Sequence, residues 1–364
     1  MVFNISARRS DAILLTSEGI DSLSLPGMDH ATVVDQILAF HRALDTLAIA
    51  ESPSAQDTLR QVLAWLWDNA AGPILDALGY QSQPLPGQPW PQLWWVPGGL
   101  LSLLPLHAAG LHTNPLDLAH RTVMDRVISS YSPTVGALAH ARNAHATPDA
   151  DRRSLIVAMP TTPDLPGRGK LAYVSSEAAL LRHRLPHPTV LTEPATNPDT
   201  SAGQLPTKTA VLEHLRGCAI AHFACHGQTD PADPSQSRLL LHDHRRDPLT
   251  VAALAPLALN QAELAYLSAC STARMSDMRL LDEAIHLTSA FQLAGFPHVI
   301  GTLWEINDAI AVEIADDFYH NLTKPDGGLA PHRAAHALHH AVRVQRDRQP
   351  DALYLWASHI HAGV

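Results

Sequence analysis

Ala219-Ile220-Ala221-His222-Phe223-Ala224-Cys225-His226-Gly227 and Leu264-Ala265-Tyr266-Leu267-Ser268-Ala269-Cys270-Ser271-Thr272 are two apolar runs, each ending in a reactive side chain followed by small residues. Runs this short and this continuously apolar predict strands buried on both faces, over Ala219–Cys225 and Leu264–Ser268. In open α/β sheets, reactive groups gather where strands end, because the strand fixes the backbone while the next loop stays exposed. As neighbouring strands, the two runs are expected to bring the His226 imidazole and the Cys270 thiol together.

Further apolar runs lie near Leu93–Val96, Val127–Tyr131, Leu155–Ala158 and His298–Trp304. Between them are stretches of helical spacing, clearest at Thr134–Arg142, Ser175–Leu185, Thr207–Leu215, Asp282–Ala294, Ile306–Leu322 and Pro331–Arg346. This alternation predicts an α/β fold whose parallel or mixed sheet is flanked by helices. Ahead of it, Ala12–Leu25 reads as a hairpin, and Asp29–Ala50 and Asp57–Leu78 as two helices, the second closed by Gly79. The Pro-, Gln- and Gly-rich linker Gln81–Pro91 is the best internal boundary. It divides the chain into a hairpin and helical preface, 1–80, and an α/β core, 81–364.

The chain has 364 residues, 46% of them apolar, and a formal charge of −10 from 25 basic and 35 acidic side chains. That balance argues against a nucleic-acid or anionic-membrane surface. No apolar run approaches the roughly eighteen residues that span a bilayer, and Met1–Ser10 lacks the basic start and apolar centre of a signal peptide. A soluble, cytoplasmic protein is expected. The three cysteines, Cys218, Cys225 and Cys270, have no Cys-x-x-Cys spacing and read as reduced thiols.

A thiol with a pKa near 8.5 is only about a few per cent thiolate at neutral pH, so a neighbouring base raises its reactivity. His226 supplies such a base and afterwards an acid for the leaving amine. Gly227 has no side chain to block a bound carbonyl, so its N–H and that of Cys270 make a candidate oxyanion hole, worth roughly 3 kcal/mol per donor. Other signals point to packing. Cys218 and Cys225 read as core residues, and His222 as a buried neighbour, since i, i+4 spacing in a strand does not aim two rings at one metal. His332, His336 and His340 have helical i, i+4 spacing, but no carboxylate or thiol completes a zinc set nearby, and no metal or cofactor is expected. Gly167-Arg168-Gly169-Lys170 is too short for a nucleotide cradle, and P-loop and Gly-x-Ser-x-Gly motifs are absent.

Taken together, the motifs resemble the CHAT-domain family, the caspase-like proteins related to separase. The resemblance rests on Leu93-Trp94-Trp95-Val96-Pro97-Gly98-Gly99 with Leu104-Pro105-Leu106-His107-Ala108, on the histidine motif His222–Gly227, and on the cysteine motif Leu267–Ala273. Ser289–Gly295, Val299–Trp304 and Leu355–Ser358 extend it across essentially the whole chain. It implies a caspase-hemoglobinase-like, mostly parallel sheet flanked by helices, with His226 and Cys270 as a catalytic dyad. The 44 residues between them are close to the caspase spacing of about fifty. The chain departs from caspases in lacking Gln before and Gly after the cysteine. It also has Ser268 where several arginine-specific relatives carry an acid.

The expected activity is that of a cysteine endopeptidase acting on a protein substrate, within a bacterial defence or cell-death pathway as the family suggests. Rival readings are a catalytically idle CHAT scaffold or sensor, and a thiol-dependent hydrolase or transferase acting on small molecules. Control is expected from an activating partner protein, from removed sequence, or from the helical preface. By resemblance, substrate choice falls to the loop after the cysteine strand and to the end of the following strand, with Ser268, Asp282, Trp304, Glu305 and Asp308 as candidate substrate-binding residues. The acidic excess there predicts cleavage after Arg or Lys, with Glu305 or Asp308 as the pocket acid.

Overall fold

The computed structural model describes residues 1–112, 121–143, 152–194, 204–230, 232–271, 284–305 and 307–364. By internal contacts these fall into two units: Met1–Val135 with Val342–Ser358, and the described residues of 136–341 with His359–Val364. Among the described residues, no helix is long and apolar enough to cross a membrane.

The first unit opens with an antiparallel sheet, β1 (Val2–Asn4), β2 (Asp11–Leu15) and β3 (Ile20–Ser24). Two helices follow, α1 (His30–Ile49), whose first turn is capped by Asp29 on the Thr32 N–H, and α2 (Pro53–Leu66), capped by Ser52 with Pro53 at its start. The single helix expected over Asp57–Leu78 is interrupted by a π turn at Trp67–Ala71 before α3 (Gly72–Ala77). Pro73 has no N–H to continue the ladder, and the Gly72 N–H reaches back five residues to the Trp67 carbonyl. The parallel pair β4 (Gln92–Trp95) and β5 (Ile128–Tyr131) completes the strands of this unit.

The second unit holds, in chain order, α4 (Val135–Asn143), β6 (Ser154–Ala158), α5 (Val174–Arg184), β7 (Pro188–Thr192), α6 (Lys208–Leu215), β8 (Ile220–Gln228), β9 (Arg238–Leu240), β10 (Leu249–Thr250), α7 (Val251–Leu254) and β11 (Leu264–Ser271). It continues with α8 (Ala284–Ala294), β12 (His298–Thr302), α9 (Asp308–Leu322), α10 (Ala334–Arg348), α11 (Leu353–Trp356) and β13 (His359–Gly363), although α11 and the end of α10 belong to the first unit. Strands β6, β8, β11 and β12 are mutually parallel; β9 and β13 run antiparallel to β8 and β12. From β6 the chain moves outward to β7, then returns to β8 and grows the other way through β11 and β12, so a topological switch lies between β6 and β8.

β6 is buried at every residue and β8 at all but its last, which follows from helices on both faces and explains the unbroken apolar runs. One face carries His222 and Tyr266, stacked at 4.8 Å between ring centroids and covered by Phe318 and Tyr319 of α9. The other carries Phe223, packed edge-on against Phe291 of α8 at 5.2 Å. Cys218 and Cys225 are both buried, and burial pushes the Cys218 thiol up to about 12. Both β8 and β11 run three residues beyond the expected ends, so His226 and Cys270 sit in the last paired rungs of their strands.

Candidate functional site

Those last rungs set the site. β8 and β11 pair in parallel with Ala224 opposite Ser268, His226 opposite Cys270 and Gly227 opposite Ser271. Neighbouring strands lie about 4.8 Å apart, so positions 226 and 270 are adjacent on one face of the sheet. Strand alternation puts His222 and His226 on that same face, the face covered by α5 and α9.

His226 is 8% exposed, and its Nε2 lies 3.0 Å from the Gly169 carbonyl oxygen. A carbonyl only accepts, so Nε2 carries the proton, and in the neutral ring Nδ1 holds the lone pair. Nδ1 is buried without a hydrogen-bond partner among the described residues. The Gly169 carbonyl is delivered by a tight turn in which Gly167, Arg168 and Gly169 all have φ between 51° and 58°. Hydrogen bonds from the Thr162 N–H to the Arg168 carbonyl (2.6 Å) and from the Leu171 N–H to the Pro160 carbonyl (3.0 Å) hold this turn.

A cleft opens beside His226. Of the expected substrate-binding residues, Ser268, Glu305 and Asp308 line it. Asp308 opens α9, and its carboxylate accepts the Ala172 N–H at 3.1 Å; burial raises its pKa, against the opposing effects of that hydrogen bond and of His226. Glu305 is exposed. Trp304 is buried and is not among the lining residues, Gly227 is buried within β8, and Asp282 lies outside the described residues.

Sequence reasoning missed two contributors. One is the Gly169 carbonyl, a backbone group that no side-chain pattern announces. The other is Glu177 of α5, which lines the cleft yet is 2% exposed. Its Oε1 accepts from His222 Nε2 at 2.9 Å, and His222 Nδ1 lies 3.2 Å from the Tyr319 hydroxyl. The signal for Glu177 was an acid in the apolar stripe formed by Val174 and Leu181.

Comparison with known proteins agrees with this architecture. Over its full length the chain superposes on separase in the Saccharomyces cerevisiae separase–securin complex, with a TM-score of 0.64 and 11% identity, and spans 29% of that chain. It also aligns over 81% of its length with the RgpB pro- and mature domain complex of Porphyromonas gingivalis and with the Arg-specific cysteine proteinase gingipain R. These matches have TM-scores of 0.48 and 0.46, each at 11% identity, and cover 69% and 68% of those chains. No curated protein matches the sequence. The mostly parallel, helix-flanked sheet is therefore of the caspase-like kind. The family model for the CHAT domain matches residues 60–364, a span that contains the paired strand ends and the cleft, and the chain belongs to that family.

Proposed function

We propose that the chain is a caspase-like cysteine endopeptidase with His226 and Cys270 as its dyad. The observation that carries this reading is the register, which sets Cys270 opposite a histidine whose ring is already oriented by a backbone carbonyl. In this mechanism Nδ1 of His226 takes the thiol proton as sulfur attacks the scissile carbonyl. The N–H groups of Gly227 and Cys270 stabilise the oxyanion. Collapse expels the amine, which takes its proton from His226, and water then hydrolyses the thioester with the same imidazole as base. Ser268, Glu305 and Asp308 hold the substrate. A regulatory protein partner, a cytoplasmic location and a role in bacterial defence belong to the same proposal; separase, a neighbour in fold, is seen in complex with securin.

The test maps new N-termini by mass spectrometry after incubating the full chain with a native proteome. The unmodified protein is expected to generate cuts that Cys270→Ala and His226→Ala each reduce by at least about a hundredfold, with circular dichroism unchanged. Iodoacetamide should block the activity. Cuts that persist in either variant would remove the dyad. Their absence in every sample, with the partner's presence making no difference, would favour an idle scaffold.

A further inference from the structure

We propose that the outer edge of β3 is an interface for a second copy of this chain, the two β3 strands pairing antiparallel about a two-fold axis through Ser22 so that the two N-terminal hairpins share one sheet. The pairing is independent of the peptidase reading.

The ladder inside the hairpin decides which backbone groups are left over. Leu14 lies opposite Asp21 and Ala12 opposite Leu23, and hydrogen bonds from the Thr16 N–H to the Gly19 carbonyl (3.0 Å) and from the Leu25 N–H to the Ser10 carbonyl (2.9 Å) mark its two ends. Bonded pairs alternate along an antiparallel ladder, so Asp21 and Leu23 turn their N–H and C=O groups towards β2, while Ile20, Ser22 and Ser24 turn theirs away from it. Among the described residues no strand pairs with that side, and every residue of β3 except Leu23 is exposed. Such edges are ordinarily blunted by proline, lysine or a bulge, and β3 carries none of these. Beside the edge, Ile20, Leu15 and Ile13 share one face of the sheet and are 73%, 40% and 37% exposed.

A second copy fits this edge in one register. With Ser22 on the axis, Ile20 of each chain meets Ser24 of the other, and the outward groups close about six backbone hydrogen bonds. An axis through Asp21 would set that carboxylate against its own copy. An axis through Leu23 would bring Pro26, which has no N–H, opposite Ile20. The charges favour the same arrangement. Glu18 and Asp21 stand at the turn end of the hairpin and Arg8 and Arg9 at the far end, all of them exposed. Antiparallel pairing lays the acidic end of each copy beside the basic end of the other, whereas a parallel strand of the same sequence would set acid beside acid. The strand is only 5 residues long. Its pairing buries less area than a tight dimer needs, so the dimer is expected to have a Kd on the order of 10 µM.

Sedimentation velocity of the full chain, from about 1 to 300 µM, should show a reversible monomer–dimer equilibrium. Ser22→Pro removes an N–H that points away from β2, so it spares the hairpin and spoils the pairing; the Kd should rise about tenfold or more with circular dichroism unchanged. Glu18→Arg should weaken the dimer about threefold, and Arg8→Glu added to the same chain should restore it. Ser22→Cys should form a disulfide between the two copies of position 22 under mild oxidation, identified by mass spectrometry, whereas Ser17→Cys in the turn should not. A chain that stays monomeric throughout and gives no such disulfide would overturn the proposal and leave the edge to an extended segment of a different protein. A dimer indifferent to Ser22→Pro would overturn it as well, by placing the contact elsewhere. Should the proline variant fold poorly, the disulfide pair and the charge exchange still decide.

Discussion

His226 is steadied by an oxygen that belongs to no side chain, and that fact divides what was legible from what was not. The dyad candidates were legible because two apolar strands stop at reactive side chains. The Gly169 carbonyl was not, because Gly167-Arg168-Gly169-Lys170 could be weighed only as a phosphate cradle, and a carbonyl's direction depends on φ and ψ rather than on residue type. Gly169 has a φ of +51°, and a Cβ there would stand 2.7 Å from Leu165 Cδ1. Gly169→Val is therefore expected to swing the carbonyl away from Nε2. The kcat/KM of the proposed peptidase activity should fall about tenfold or more, while the melting temperature drops by only a few degrees. Parallel kinetics and thermal melts check this; unchanged kcat/KM would show that the carbonyl does not orient the ring for catalysis.

At the scale of elements, α9 is tied to the sheet by the Tyr319–His222 contact in a layer that is otherwise aromatic. Tyr319→Phe keeps the ring but leaves the buried His222 Nδ1 without its hydrogen-bond partner, which costs about 1–3 kcal/mol. Urea denaturation should register a loss of that size, and a change below about 0.5 kcal/mol would show that water replaces the hydroxyl. The central strands were legible because helices on both faces make them apolar throughout. β13 was not, since His359-Ile360-His361-Ala362-Gly363 looks half polar; its histidines are nonetheless buried, and His361 Nε2 lies 3.1 Å from His298 Nδ1. β7, β9 and β10 escaped notice for a related reason: each is short or bounded by proline and charge, so tertiary pairing rather than local pattern makes them strands.

Across the whole molecule, histidine sets the response to acid. The chain has 23 histidines, and burial lowers His41, His112 and His298 to about 4 and His359 to about 3. In the unfolded chain these rings take up protons near pH 6.5, whereas the folded protein refuses them until pH 3–4. Stability is thus complete above pH 6.5 and is lost as the pH falls from there towards 4, by on the order of 3 kcal/mol per ring at most. The melting temperature should therefore fall steeply between pH 7 and pH 5, and a flat profile over that interval would contradict the assignment. The two interior thiols, Cys218 and Cys225, belong to this scale as well. Cys225 lies within the central strand β8 and borders the cleft, whereas Cys218 is buried just ahead of that strand and is not among the lining residues, so a disulfide-exchange reagent reaches Cys218 only when the structure around it opens. The rate at which Cys218 is modified in native buffer is consequently an internal clock: it times how often the edge of the central sheet comes apart, with no residue changed.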